Sequence, residues 1–143
     1  TQGERALEKV AERQSPDLGA VALCGLASSA FWSNDPCRAL FWVRRALTRH
    51  PMTAASVWCS SLAVLIFRTL GMRRERFEAE QERFLIMRRI AFHADDHDDR
   101  IYALVELKKE CESRDLPGDV ERCDEELADL IRANGHKVPV QLA

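Results

Sequence analysis

Little in this 143-residue chain favours a sheet or a loop-rich fold: it has one tyrosine, three tryptophans, six glycines and five prolines. Beta-branched and aromatic residues dominate strands, whereas the alanine, leucine, arginine and glutamate that dominate here are helix formers, so an all-α chain is expected. No glycine-rich phosphate loop, nucleophile elbow or H-E-x-x-H motif occurs, and with no such signature the chain reads as a non-enzyme with no catalytic residue and no cofactor. Nor is there a C-x-x-C pair among the five cysteines, Cys24, Cys37, Cys59, Cys111 and Cys123. An odd, unpaired set in apolar stripes points to small core residues in a reducing compartment, intracellular and by expectation cytoplasmic. The most apolar run, residues 53–70, holds a charge-free stretch from Ala54 to Phe67 of fourteen residues. That is short of the roughly 18 to 20 needed to span a bilayer, so a buried central helix is expected and a membrane-associated subunit is the weaker alternative.

What is present is organised around residues 20–51. Small residues Ala20, Ala22, Gly25, Ala27, Ser28, Ser29 and Ala30 fill a first helix, which lets another backbone come close. Asn34-Asp35-Pro36 then breaks it, because proline disfavours helical geometry in the residue before it and suits the first turn of a new helix, with Asp35 as N-cap. In the second helix Ala39, Leu40, Val43, Ala46 and Leu47 follow a 3.6-residue period, with Arg38, Arg44, Arg45 and Arg49 around them and Pro51 as the stop.

These residues resemble a tetratricopeptide repeat, a helix-turn-helix of about 34 residues. Leu23, Leu26, Ala27 and Ala30 fall on its first cluster, Ala39 and Val43 on its second, and Pro51 on its closing proline. Leucine and alanine replace the Trp, Gly and Tyr of the first cluster, and valine the Phe of the second. The resemblance implies a short antiparallel helix-hairpin solenoid of about seven helices whose first helices line a groove for a peptide or partner helix. The segment RALTRHP (45–51), followed by Trp58, is similar also to the half-a-tetratricopeptide repeats of RNA-processing assemblies. A helical regulatory domain of an enzyme is a further alternative.

The expected organisation is one domain over residues 1–143, with a leading helix in 1–17, hairpins at 18–51, 52–93 and 98–134, and a tail at 135–143. The first residues, Thr1-Gln2 without a methionine, suggest a piece of a longer protein. Gly71 is expected to end the third helix of the hairpin series. Phe77, Phe84, Met87 and Ile90 or Ala91 are expected to form the buried stripe of the next helix. Asp98 or Asp99 should cap the one after it, and Leu116-Pro117-Gly118-Asp119 should form a turn before a last helix from Val120. Charge is strongly segregated: from Pro36 to Arg76 there are eight arginines and one acid, and from Asp95 to Asp129 fourteen acids and five bases. Such segregation fits either the solvated outer faces of helices or a basic surface for an acidic or nucleic-acid partner and an acidic surface for a basic one; a protein or peptide partner is expected, with nucleic acid as the alternative.

The partner-binding residues expected are Phe31, Trp32 and Trp58 as anchors and Arg38 and Arg45 as guiding charges. Neighbours such as Phe31/Trp32 and Phe41/Trp42 cannot share a helix face, so one of each pair should reach the surface. His93 and His97 stand four apart among aspartates, a spacing that could seat a metal on one helical face. They straddle an expected helix boundary, and no metal is assigned. Cys111 and Cys123 are expected to meet where the helices of the last hairpin cross, as buried sulfur rather than a redox pair.

Overall fold

The computed structural model of the chain describes residues 3–6 and 16–133. Every element among them is a helix, and no strand occurs there. After a helical turn at 3–6, six helices follow: α1 (Pro16–Trp32), α2 (Pro36–Arg49), α3 (Ala54–Thr69), α4 (Arg73–His93), α5 (His97–Ser113) and α6 (Pro117–Ala133). Most of the expected leading helix and the tail at 135–143 lie outside the described residues.

The three tight turns, α1 to α2, α3 to α4 and α5 to α6, are built alike. Each first helix ends in a residue in the left-handed region, Asn34 (φ 63°), Gly71 (φ 69°) and Asp115 (φ 56°). Its N–H bonds the carbonyl three residues back: Asn34 to Phe31, Gly71 to Arg68 and Asp115 to Glu112. The next N–H reaches back five, Asp35 to Ala30, Met72 to Phe67 and Leu116 to Cys111, at 2.9–3.0 Å. This double closure is the Schellman motif, which satisfies carbonyls that the helix end leaves without partners. The residue that completes it also begins the following helix, since Asp35, Met72 and Leu116 accept from Ala39, Arg76 and Val120.

Caps account for the remaining starts. Asp35 Oδ1 accepts from the Arg38 N–H at 3.2 Å, with Pro36 in the first turn of α2. Thr53 Oγ1 accepts from the Ser56 N–H at 3.3 Å and donates to the His50 carbonyl at 3.1 Å. The Ser56 hydroxyl donates to that same carbonyl, so the His50 carbonyl is paired twice at this turn. Within α3, Ser60 and Ser61 both donate to the Val57 carbonyl, as expected of hydroxyls in an apolar helix.

Four expectations are corrected. The cap of α5 is Asp96, whose Oδ1 accepts from Asp99 N–H at 3.0 Å; the helix starts at His97, and Asp98 and Asp99 lie in its first turn, where the positive end of the helix dipole favours carboxylates. Helix α6 starts at Pro117 rather than Val120, because a first-turn proline forfeits only an N–H that has no partner there anyway. The left-handed residue of that turn is accordingly Asp115, and Gly118 is helical. In α4, Phe77 is 62% exposed. The buried residues there are Ala79, Ile86, Met87, Ile90 and Ala91, with Phe84 half-buried.

The contacts divide the chain into two compact units, Thr1–Ile86 and Met87–Ala143, and the boundary falls inside α4. In the first, α1 packs on both α2 and α3, and α2 on α3. Leu23, Leu26, Ala27, Ala39, Val43, Ala46, Cys59 and Ile66 form its core, each at most 1% exposed. Ala27 and Ala39 are both fully buried in that core, as a close crossing of small residues requires. Arg83 of α4 donates to the Ser61 hydroxyl at 2.7 Å.

In the second unit α5 packs on α6, around Ile101, Leu104, Leu107 and Cys111 from one helix and Cys123, Leu127 and Leu130 from the other. Val120 and Ile131 are only partly buried. Arg100 clamps this unit: its Nε donates to the Ala91 carbonyl and its Nη2 to Glu126, both at 3.0 Å. The Arg122 guanidinium lies 4.2 Å from the centre of the Phe92 ring, well inside cation–π range.

Candidate functional site: the basic, aromatic face of α2

Each aromatic neighbour pair splits as helix geometry requires. Trp42 turns into the core at 7% exposure, while Phe41 is 53% exposed. Phe31 packs against the core edge, whereas Trp32 at the end of α1 is 78% exposed. Each pair meets edge to face, with ring centres 5.3 Å apart for Phe31 and Trp32 and 4.9 Å for Phe41 and Trp42, so the buried member orients the exposed one.

Burial of Ala39, Trp42, Val43 and Ala46 fixes the rotation of α2. Its opposite face then presents Cys37, Phe41, Arg44 and Thr48, which follow one another at three- and four-residue steps. A groove of about 500 Å³ runs along this face, lined among the described residues by Leu40, Phe41, Arg44, Arg45 and Arg49, with Cys37 and Thr48. The Arg45 guanidinium sits 6.0 Å from the centre of the Phe41 ring, at the outer limit of cation–π contact. The face thus combines an apolar ring with guanidinium groups and no carboxylate among its described lining.

The five expected site residues are not brought together. Trp32 is the most exposed aromatic, but Phe31 serves the core. Trp58 is partly exposed and shares a face of α3 with Leu65, one heptad on. It adjoins Cys59, which meets Cys24 across the α1–α3 contact. Trp32 lies eight residues beyond Cys24, about 12 Å along the helix at 1.5 Å per residue, so the two indoles mark separate places. Arg38 is ion-paired with Glu4, and only Arg45 of the two expected arginines lines the groove. Phe41, Arg44 and Arg49 line the groove without being among the five residues expected to bind a partner. Their signal was the arginine-rich period around the buried stripe.

His93 ends α4 and His97 opens α5, with a non-helical break between them, so they do not share a helical face. Among the described residues no group of three or more His, Cys, Asp or Glu side chains is placed to hold a metal ion. No described helix is long and apolar enough to cross a membrane. Burial raises the thiols of Cys111 and Cys123, the latter to about 11, which keeps both protonated and unreactive at neutral pH.

No family model, curated protein or solved structure matches the chain.

Proposed function

We propose that this chain is a helical protein-binding scaffold, a tetratricopeptide-like repeat module that holds an acidic segment of a partner protein against the outer face of α2. The observation that carries this reading is the exposed Phe41 ring in a groove of about 500 Å³ whose rim is Arg44, Arg45 and Arg49. An exposed aromatic supplies apolar area that a partner can desolvate, and arginines supply carboxylate recognition and steering. Trp32 offers a second anchor at the end of α1. Three hairpin turns of one construction support the repeat reading.

Single-stranded RNA is the competing partner, because arginine and stacking aromatics serve it as well. The two are separated by fluorescence anisotropy on the full chain, using short Asp/Glu-rich peptides carrying Leu or Phe at i, i+3 and i+4, and a labelled oligouridylate. Saturable binding of acidic peptides over sequence-scrambled and Lys-substituted controls is the expected result. Binding of the oligonucleotide with a steep salt dependence and none of the peptides would replace the scaffold reading by the RNA one.

A further inference from the structure

The sulfurs of Cys24 and Cys59 lie 3.0 Å apart, on α1 and α3 and 35 positions apart in sequence. A disulfide requires about 2 Å between sulfurs, so closing the bond asks for about 1 Å of approach. We infer that Cys24 and Cys59 are a peroxide-sensitive thiol pair that oxidises to an intramolecular disulfide linking α1 to α3.

The two thiols differ in the way such a pair requires. Cys24 is partly exposed and Cys59 fully buried, so an oxidant reaches Cys24. Donation from the Cys59 thiol favours the Cys24 thiolate and lowers its pKa, whereas the same bond and burial hold Cys59 protonated. While it is protonated, the Cys24 thiol donates to the Ala55 carbonyl at the start of α3 at 3.4 Å, which directs its sulfur at that helix.

In the first step the Cys24 thiolate attacks one oxygen of hydrogen peroxide and the O–O bond breaks. The products are a Cys24 sulfenic acid and a hydroxide that takes up a proton as water. In the second, Cys59 loses its proton and its sulfur attacks the Cys24 sulfur; the S–O bond breaks and the oxygen leaves as water. Overall two thiols and one peroxide give one disulfide and two waters. A small dithiol reverses the reaction by exchange. Cys111 and Cys123, both buried with raised thiols, are poor competitors.

The test uses the full chain with Cys37→Ser, which removes the exposed thiol and leaves four of the five cysteines. After treatment with hydrogen peroxide, thiols are counted under denaturing conditions and peptides mapped by mass spectrometry without reduction. Expected are a fall from four thiols to two, a single linked peptide joining Cys24 to Cys59, and a melting temperature raised by about 5 °C or more that dithiothreitol restores. Adding Cys59→Ser should leave a Cys24 sulfenic acid that dimedone traps. A linked peptide joining any other two cysteines, or Cys24 and Cys59 both recovered as free thiols while the chain is folded, would overturn the inference. Because mapping is read on the Cys37→Ser chain with its pair intact, the outcome does not depend on the folding of Cys59→Ser.

Discussion

Single side chains decide more here than their size suggests. Ala39 and Ala27, fully buried in one core, leave no volume for a larger neighbour, so Ala39→Leu should destabilise by about 1–3 kcal/mol in urea unfolding through overpacking. An unchanged midpoint would show that α1 and α2 do not cross closely at this point. Cys123 gives a pH-dependent expectation. Its thiol is held up at about 11 by burial, against an ordinary 9.0, so above pH 9 the unfolded chain releases a proton that the folded chain keeps. The stability tied to the neutral thiol is complete below about pH 9 and is lost as pH rises through about 11, by about 2 kcal/mol. Melting curves of the chain and of Cys123→Ala across that interval should converge as pH rises; parallel curves would contradict it. The residue scale is also where the sequence was least legible. Helix geometry requires that one of Phe41 and Trp42 face outward but does not say which, since that depends on the rotation that packing against α1 and α3 imposes. The Cys24–Cys59 contact joins residues of two different helices, and no local period encodes it. Cys111 and Cys123, by contrast, belong to one hairpin, where sequence spacing does carry information.

At the scale of elements, the recurring device is the left-handed residue that closes α1, α3 and α5. At Gly71 a Cβ would meet nothing within 4 Å, so Gly71→Ala costs only the strained backbone, about 1–2 kcal/mol. Asp115→Gly should act in the opposite sense and gain up to about 1 kcal/mol, by removing that strain where φ is 56°. Thermal melts of the two variants should shift in opposite directions, and a shared direction would show that the turns are not equivalent. The breaks at Asp35-Pro36 and Gly71 were legible because proline and glycine act through their own backbones. The start of α6 was not, because Pro-Gly suits a turn and the first turn of a helix equally, and only the Asp115 conformation separates them. Phe77 misled for a related reason. A long helix rich in arginine and glutamate has a weak apolar period, and its register follows from packing that the period alone does not determine.

For the molecule as a whole, the charge segregated along the sequence is handled differently within each unit. The groove of α2 gathers Arg44, Arg45 and Arg49 around Phe41, whereas α5 and α6 turn much of their acid into ion pairs. Lys108 meets Asp124 at 2.8 Å and Arg114 meets Glu110 at 3.0 Å. Exposed pairs of this kind contribute little to stability, so the basic charge along the α2 groove bears on recognition rather than on folding. If an acidic partner is held there, apolar burial at Phe41 should supply much of the affinity and the arginines mainly the association rate and its salt dependence. Titration calorimetry with the tightest acidic peptide, at low and high ionic strength, compares the chain with Phe41→Ala and with Arg44→Ala/Arg49→Ala. The expected result is a loss of about 2 kcal/mol for Phe41→Ala at both ionic strengths, and a smaller loss for the arginine variant that fades at high salt, with helicity unchanged in each. Full-strength binding by Phe41→Ala, or binding abolished by the arginine changes alone, would contradict an aromatic anchor on α2.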